Sequence, residues 1–536
     1  MKVWSPDIPK ISQEVHFDNR KFYCFEARPN DVYSMFSQSV KRNPDKEALI
    51  VGDYRLTWKE LEDWVLRVAS GLKILGIKSG DRIALLLSNG IEFVVTTFAA
   101  STLGIIIVPI STREKQPGIA FVLNQCGANT IVFDAALRDK LPDLHDIPKM
   151  KHQIVVGAIS DINSFETLLN STRLEMVEAI NEEDVSAILY TSGTTGKPKG
   201  AILTHLNIIH SAMHYVHLMK LRDDDRLLGS VPFSHVTGLV ALLMTMVRCG
   251  GCLIVMEHFK ASTFLKIASD EKMTHTLMVP AMYSLCLIQD YLEVYNLTKW
   301  RVGVYGGAPM PASVIQSIAE KLPNLVLINA YGATETTSPA TLVPPGETEN
   351  YPTSIGKVVQ CGEIIIMDEN GNEKPIGESG EICIKGPMVA KGYWEDPAAT
   401  AENFSNGYWH SGDIGSVDEN GYYYIHDRSK DMINRGGYKI YSIEVENVIH
   451  LHPAVLEVAV IGRACPVLGE RVHAVVYTVE GQQVSSSELA QLCAEQLADN
   501  KVPESFTFLK IPLPRNANGK ILKRDLNNLL KVQEVK

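Results

Sequence analysis

The chain has 536 residues. A single hydrophobic core does not usually serve a chain of this length, so two or more domains are expected. Its formal net charge of −11 argues against broad electrostatic binding to nucleic acid or to an anionic membrane. Its nine cysteines show no disulfide framework, which indicates a reducing compartment. Cys249 and Cys252 have C-x-x-C spacing, but no second pair follows to complete a metal site, so two packed thiols are expected.

The chain ends and the most apolar segment predict a cytoplasmic protein without a transmembrane segment. The N-terminal MKVWSPDIPK has no apolar core of a signal peptide, and the C-terminal VQEVK carries no peroxisomal or lipidation signal. The longest uncharged segment, residues 93–110, contains Thr, Ser, Gly and Pro, and it predicts a buried helix followed by a strand.

Short β-rich segments alternate with helical patterns over about the first four hundred residues. Four examples are RIALLLS from Arg82, TIVFDA from Thr130, SAILY from Ser186 and LVLINA from Leu325. Alternation of this kind predicts an α/β fold with parallel sheets covered by helices.

The pattern changes after a cluster of Gly, Asp and Tyr between Ser411 and Tyr424. SIEVENVIHLHP and SSSELAQLCAEQLAD predict helices, the second with a capping box of Ser485 and Glu488, while VLEVAVIGR and RVHAVVYTV predict strands. We therefore predict a large N-terminal domain over residues 1–429 and a small α+β domain over residues 430–536.

The segment YTSGTTGKPKG, residues 190–200, has almost nothing to pack in a core. The strand SAILY precedes it, and Thr204 is placed to cap a helix whose apolar positions include Leu206 and Ile209, so a strand-to-helix loop is expected. Small residues expose backbone N–H groups, hydroxyls add donors and lysines add charge, which is the chemistry of a phosphate cradle. The spacing is not that of a Walker A loop, and a flexible linker is the alternative.

The extended segment YTSGTTGKPKGAILTH resembles the signature of the adenylate-forming superfamily, which includes acyl-CoA synthetases and aryl-CoA ligases. YGATE from Tyr331, HSGD from His410, DRSKDMINRGG from Asp427 and PRNANGK from Pro514 follow in the family order. The resemblance implies that a carboxylate first attacks the α-phosphate of ATP to give acyl-AMP, and that a thiol, usually coenzyme A, then accepts the acyl group. ATP, Mg²⁺ and coenzyme A are the implied cofactors and co-substrates.

The resemblance also implies roles for particular residues. The phosphates would contact Thr191, Ser192, Gly193, Thr194, Thr195, Gly196, Lys199 and Thr334. The adenine and ribose would contact Gly306, Gly307, Ala308, Tyr331, Gly332, Asp413 and Arg428. Glu335 and Thr191 would bind magnesium, and Lys520 would contact the carboxylate and the α-phosphate in the first step. Taken singly, these residues have simpler interpretations. Asp413 would be a residue that favours a turn, and Lys520 would be a solvated lysine after the turn signal Asn518-Gly519.

The second step requires another surface, because pyrophosphate leaves and coenzyme A enters. By resemblance the small domain is mobile, with Lys430 at the hinge, and Gly436 and Gly437 line the pantetheine tunnel. Lys439 stands where many relatives have Asn, Gln or Glu, so no role is implied for it.

The identity of the acid depends on the segment VPFSHVTGL. His235 matches a His that lies beside the acid pocket in related ligases, although many relatives have Phe where this chain has Ser234. A core histidine is the alternative. Further pocket candidates are Val236, Thr237, Gly238, Gly306, Gly307 and residues 336–338, which offer no cation for a second carboxylate.

A medium- or long-chain fatty acid is therefore favoured as the substrate. Three alternatives stay open: an aryl acid such as a benzoate or cinnamate, a carrier protein as the acceptor, and a non-catalytic nucleotide-binding protein. The expected partners are the acid, ATP and coenzyme A, with a homodimer left open.

Overall fold

A computed structural model describes residues 4, 9–17, 19–159, 162–191, 198–289, 292–479, 481–515, 521–523 and 525–526. The helices over these residues are α1 (Val32–Arg42), α2 (Trp58–Ile74), α3 (Ile91–Thr102), α4 (Gln116–Cys126), α5 (Phe165–Leu169), α6 (His205–Leu218), α7 (Thr245–Cys249), α8 (Ala261–Asp270), α9 (Pro280–Leu287), α10 (Ala312–Lys321), α11 (Pro397–Asn403), α12 (Ser442–Ile449) and α13 (Ser486–Gln496). A π-helix spans Thr237–Met244.

The strands fall in the same chain order. They are β1 (Ile11–His16), β2 (Arg20–Phe25), β3 (Glu47–Val51), β4 (Tyr54–Thr57), β5 (Arg82–Leu86), β6 (Ile106–Pro109), β7 (Thr130–Asp134), β8 (His152–Val156), β9 (Asn163–Ser164), β10 (Val185–Thr191), β11 (Lys199–Thr204), β12 (Arg226–Gly229), β13 (Cys252–Val255), β14 (His275–Met278), β15 (Val302–Gly306), β16 (Val326–Tyr331), β17 (Thr341–Leu342), β18 (Ser354–Val358), β19 (Glu363–Met367), β20 (Gly380–Lys385), β21 (Phe404–Ser405), β22 (Tyr408–Val417), β23 (Tyr423–Arg428), β24 (Ile433–Arg435), β25 (Tyr438–Ile440), β26 (Val455–Cys465), β27 (Gly469–Thr478) and β28 (Ser505–Leu509).

The chain forms two compact units. The larger unit comprises residues 1–308, 317–364 and 384–409, and the smaller unit comprises residues 309–316, 365–383 and 410–536. The domain boundary predicted at residue 430 stays a prediction.

The larger unit contains parallel sheets, as the alternation of strand and helix patterns predicts. One sheet has the order β11-β10-β6-β5-β7-β8-β9 and is parallel except where β10 pairs with β11. A second run, β16-β15-β14-β12-β13-β3, is parallel throughout. The carboxyl ends of these strands therefore share one edge of each sheet, where ligand sites of α/β folds lie.

The apolar segment over residues 93–110 forms helix α3 and strand β6, as predicted. Helix α3 is buried on all sides, which explains why it lacks an amphipathic pattern. No helix within the described residues has the length and apolarity that a membrane span requires. All nine cysteines are buried and free, including Cys249 and Cys252, which flank a turn at Gly250.

The smaller unit ends in an α+β layer, which agrees with the predicted fold class. Strands β25-β24-β27-β26 form a sheet, and β28 pairs parallel with β27. Apolar side chains of α12 and α13, including Val445 and Leu489, pack with Val460 and Val472 of the sheet. Ser485 caps α13 in the predicted capping box with Glu488.

Candidate active site

The two ends of the glycine-rich loop are paired strands of the larger unit. Thr191 at the end of β10 lies opposite Lys199 at the start of β11, and the Thr191 hydroxyl contacts the Lys199 carbonyl at 3.5 Å. The expected strand-to-helix loop is therefore wrong, because KGAILT forms a strand before the helix begins. Five of the predicted phosphate contacts, Ser192, Gly193, Thr194, Thr195 and Gly196, lie outside the described residues.

The helix after the loop begins where the sequence indicates. The Thr204 hydroxyl accepts a hydrogen bond from the Asn207 backbone N–H at 3.2 Å, and the Asn207 side chain accepts one from the Thr204 backbone N–H at 2.8 Å. Asn207 also donates to the carbonyls of Pro387 and Val389 at 2.7 and 3.0 Å. This capped helix anchors β11, and with it Lys199, to the body of the unit.

A segment far along the chain lies against the free edge of β11. Tyr393 pairs antiparallel with Ala201, the Ile202 N–H donates to the Gly392 carbonyl at 3.0 Å, and the Trp394 N–H donates to the Gly200 carbonyl at 2.7 Å. These bonds satisfy backbone groups that an edge strand would leave open, and they fix the Tyr393 side chain beside the loop.

Tyr393 connects the loop lysine to the predicted magnesium ligand. Its hydroxyl donates to Glu335 Oε1 at 2.9 Å, and Lys199 Nζ lies 5.2 Å from the centre of its ring. Burial and the Glu335 charge raise the pKa of Tyr393 well above its ordinary value, so the hydroxyl keeps its proton and remains a donor. The motifs of the sequence analysis do not include this tyrosine, because its position depends on pairing with β11.

Hydrogen bonds fix the backbone around Glu335 as well as its side chain. Residues 334–336 form a single 3₁₀ turn, and the Glu335 carbonyl accepts a hydrogen bond from the Ala390 N–H at 2.8 Å. Thr334 thus begins this turn and Glu335 is its buried centre. The arrangement presents one oriented carboxylate at the edge of the sheet.

The residues predicted to contact adenine lie at the carboxyl ends of two neighbouring parallel strands. Gly306 ends β15 opposite Ala330 of β16, and Tyr331 and Gly332 follow Ala330. A Cβ at Gly306 would lie 2.4 Å from the Ala330 carbonyl oxygen, so only glycine permits this approach. Gly307 has a φ of +78°, and both Gly307 and Ala308 are exposed, which leaves backbone accessible to a planar base.

His235 follows β12 and lies two residues before the π-helix begins at Thr237. The Thr237 backbone N–H donates to His235 Nδ1 at 3.3 Å, which places the proton of the neutral ring on Nε2. Burial lowers the pKa of His235 to about 4, in agreement with a neutral ring. A Cβ at Gly238 would lie 2.1 Å from the Pro232 carbonyl oxygen, so glycine is required for this tight connection.

Asp413 and Arg428 form a pair within the smaller unit. They lie opposite each other in the antiparallel strands β22 and β23, and Arg428 Nε is 3.1 Å from Asp413 Oδ1. Asp413 is buried, while Arg428 is partly exposed. The predicted acceptor and the predicted cationic donor for ribose are therefore adjacent.

The residues predicted for the second step also belong to the smaller unit. Gly436 and Gly437 form the two-residue turn between β24 and β25, and both have positive φ values, +61° and +91°. Lys430 is exposed, and Lys439 Nζ lies 3.2 Å from a carboxylate oxygen of Glu369. Lys520, the predicted catalytic lysine, lies outside the described residues.

Comparison with known proteins identifies the family. Residues 36–394 match the family described as AMP-binding enzyme, and residues 444–520 match its C-terminal domain. The chain belongs to the AMP-binding enzyme family. It is an acyl-CoA synthetase of the adenylate-forming superfamily, an AMP-forming acid–thiol ligase, which confirms the resemblance seen in the sequence.

Several CoA ligases with different acids are similar to this AMP-binding enzyme. A long-chain-fatty-acid–CoA ligase of Mycobacterium tuberculosis is 33% identical, with 88% of this chain and 92% of the relative covered. A 2-succinylbenzoate–CoA ligase of Bacillus licheniformis is 34% identical over 92% of this chain and 99% of the relative. A feruloyl-CoA synthase of Amycolatopsis sp. is 32% identical over 91% of this chain and 96% of the relative.

Solved structures of the same family share the architecture. An anthranilate CoA ligase in complex with anthranoyl-AMP has a TM-score of 0.89 at 25% identity, covering 95% of this chain and 99% of the other. The o-succinylbenzoate CoA synthetase of Bacillus subtilis, in complex with ATP and a magnesium ion, has a TM-score of 0.81 at 30% identity. The match covers 92% of this chain and 98% of the other.

Proposed function

We propose that the chain converts a carboxylic acid and ATP into acyl-AMP and pyrophosphate, and then transfers the acyl group to coenzyme A with release of AMP. The observation that carries this proposal is the Lys199–Tyr393–Glu335 arrangement, which places a loop cation and a buried carboxylate on either side of one tyrosine. A phosphate cradle and a hard oxygen ligand are the two features that attack of an anion on a polyphosphate requires.

In the first step, Thr191 and Lys199 would hold the β- and γ-phosphates at the base of the loop. Lys199 has a side chain that is only 12% exposed, so its charge is screened less by solvent than that of a surface lysine. Lys520 would contact the carboxylate and the α-phosphate in this step. The acid and the phosphate are both anionic, and these cations reduce their repulsion as the new bond forms.

The residues present fit a magnesium ion. Glu335 is buried and oriented by the Tyr393 hydroxyl, and carboxylate and hydroxyl oxygens are the ligands that Mg²⁺ prefers. Glu335, with Thr191, would hold the ion, and the ion would supply charge neutralisation at the phosphates.

The remaining predicted contacts would serve the ribose, the adenine and the second step. Asp413 would accept hydrogen bonds from the ribose hydroxyls and Arg428 would add a donor there, while Tyr331 would stack on adenine. In the second step, movement of residues 430–536 about Lys430 would bring Gly436 and Gly437 to the pantetheine arm. Coenzyme A is favoured over a carrier protein as the acceptor.

A medium- or long-chain fatty acid is the favoured substrate. The π-helix after His235 presents six consecutive buried residues without a polar side chain, from Leu239 to Met244. Neither this segment nor residues 336–338 contain a lysine or arginine for a second carboxylate, and the Ser338 hydroxyl is already paired with Tyr215 at 2.8 Å. We propose that this apolar segment borders the acid, which favours an alkyl chain.

An aryl acid is the second candidate. Relatives and structural neighbours include ligases named for succinylbenzoate, ferulate and anthranilate. In addition, the buried Thr337 hydroxyl has no hydrogen-bond partner among the described residues, and a polar ring substituent would satisfy such a group.

Release of AMP should be measured with ATP, Mg²⁺ and coenzyme A across acetate, hexanoate, decanoate, palmitate, benzoate and 4-coumarate. The proposal expects the highest rate with decanoate or palmitate and a requirement for coenzyme A. A preference for benzoate or 4-coumarate would establish the aryl alternative. AMP release that does not depend on coenzyme A would indicate a carrier-protein acceptor or adenylation that stalls before thioester formation. The absence of AMP release with every acid, together with the absence of acid-dependent exchange of labelled pyrophosphate into ATP, would show a non-catalytic protein.

A further inference from the structure

Three helices of the larger unit end around one cleft that the proposed chemistry does not use. Helix α1 ends at Arg42, α6 at Leu218 and α7 at Cys249, and residues from all three line a cavity of about 730 Å³. We call it the helix-end cleft. Its charged and titratable lining comprises Arg42, His217, Lys220, Arg222, Asp223, Asp224 and Arg248.

The two acidic side chains of the helix-end cleft are already paired. Asp223 lies 2.9 Å from Lys46, and Asp224 lies 3.2 Å from Arg222. Arg248, in contrast, has no ion-pair partner within the described ranges of the chain. The cleft therefore retains positive charge that the carboxylates lining it do not neutralise.

Two nitrogen atoms in the lining are buried without hydrogen-bond partners. Among the described residues, nothing accepts a hydrogen bond from Arg248 Nε, and His217 Nε2 has no hydrogen-bond partner. A guanidinium N–H that is removed from water and left unbonded is costly, so such groups normally have an acceptor. Burial and the nearby charge of Arg42 both lower the pKa of Arg248, which shows that the two guanidinium groups repel each other.

Compensation of helix dipoles explains only part of this arrangement. Cations near helix C-termini are stabilised by the last carbonyl groups, and Arg42 does donate to the Arg248 carbonyl oxygen, at 3.3 Å, and to the Ser39 hydroxyl, at 2.9 Å. The Nε of Arg248 contacts no carbonyl in the described part of the chain. The unpaired donor therefore requires a separate acceptor.

We propose that the helix-end cleft binds an oxyanion of the phosphate class, held by Arg248 and Arg42 with His217 as an additional donor. Arginine bonds phosphate oxygens through its planar fork of N–H groups, and a dianion would relieve the repulsion between the two guanidinium groups. Helix α6, whose 14 residues span about 21 Å, and strand β11 separate this cleft from Lys199. The site is thus distinct from the nucleotide site.

Binding of inorganic phosphate to the full chain should be measured by titration calorimetry in low-chloride buffer, with AMP present so that the nucleotide site is occupied. We expect one saturable site, at least a tenfold loss of affinity in Arg248→Met, and a smaller loss in Arg248→Lys, which keeps the charge. Arg138→Met, at an exposed arginine of the same unit, should bind like the unsubstituted chain. Thermal melting of each variant checks that it is folded.

A parallel sedimentation experiment with vesicles separates the two sources of a phosphate group. If vesicles containing phosphatidylglycerol bind in an Arg248-dependent manner and free phosphate does not, the ligand is a lipid headgroup; the reverse result assigns a free anion. The proposal is wrong if neither probe binds, or if Arg248→Met binds both probes as well as Arg138→Met does. Neither outcome depends on turnover of an acid, so it is independent of the proposed function.

Discussion

At the scale of single residues, Tyr393 is the feature that joins two predicted contacts into one site. Its hydroxyl orients the Glu335 carboxylate, and its ring lies beside the Lys199 ammonium. A side chain that supports a metal ligand often affects metal affinity more than it affects the chemical step. Tyr393 should therefore act as a positioning residue.

Replacement of Tyr393 by Phe tests this role. We expect the Mg²⁺ concentration for half-maximal pyrophosphate exchange to rise by about tenfold, because Glu335 loses a donor that orients it. The rate at saturating Mg²⁺ should change little. Tyr408→Phe, which removes a hydroxyl bonded to the exposed Glu363, provides the control and should leave the Mg²⁺ titration unchanged. An identical titration for Tyr393→Phe would contradict the assignment.

Sequence patterns predicted roles for Glu335, Asp413 and the loop, because each belongs to a contiguous motif that keeps its spacing. They missed Tyr393, since the segment KGYWED has no motif and its place is set by pairing with Ala201. They also left open the state of His235, whose neutral ring follows from a backbone contact with Thr237 and from burial. Contacts between distant segments are what one sequence does not encode locally.

At the scale of elements, β11 and α6 show where the local patterns succeed and fail. The cap at Thr204 was predictable, because capping depends on residues within one turn. The strand before it was not, because the small residues of the loop suggested a direct passage into the helix. Pairing of β11 with β10 and with Tyr393 decides its conformation.

Helix α6 also carries histidines that bond backbone N–H groups of other segments. His205 Nδ1 accepts from Val32 at 3.1 Å, and His210 Nε2 accepts from Phe25 at 3.2 Å. Burial lowers their pKa values to about 4 and about 3. The charged groups that also act on the pKa are Asp31 and Asp184 for His205, and Arg28, Glu14 and His16 for His210. A protonated ring nitrogen accepts no hydrogen bond, so both contacts require neutral rings.

The free energy of unfolding should consequently decrease as the pH falls from about 6.5 toward 4. Above 6.5 neither state binds a proton at these rings, and below it the unfolded chain binds protons that the folded chain does not. His210→Gln should reduce this slope by up to about 1.4 kcal/mol per pH unit. Urea unfolding followed by tryptophan fluorescence reports on the larger unit, which contains all six tryptophans.

The interval from pH 6.5 to 5 separates the histidines from the carboxylates whose pKa is lowered. Groups such as Glu14, whose pKa is lowered to about 2 chiefly by Arg28, contribute losses only below the ordinary pKa of a carboxylate. His258→Gln, at an exposed histidine, should leave the slope unchanged. Equal slopes in the unsubstituted chain and His210→Gln would show that His210 does not remain neutral in the folded state.

At the scale of the whole molecule, the predicted reaction distributes its residues over both units. Lys199, Glu335 and His235 belong to the larger unit, whereas Asp413 and Arg428 belong to the smaller one. The sequence patterns instead assigned Asp413 and Arg428 to a domain of residues 1–429, and that boundary stays a prediction. The movement that would exchange one set of contacts for another depends on energies between units, which the motifs do not contain.

Replacement of Lys520 by Ala tests the assignment of that lysine to one half-reaction. Formation of acyl-AMP, measured by pyrophosphate exchange, should fall by roughly 10²-fold or more, because a cation that stabilises the developing charge is lost. Thioester formation from supplied acyl-AMP should persist, since the small domain would then present Gly436 and Gly437 instead of Lys520. Lys510→Ala, at an exposed lysine of the same unit, should leave both rates unchanged. If Lys520→Ala slows both half-reactions equally, the lysine serves the site in both steps and the proposed exchange of surfaces does not explain its role.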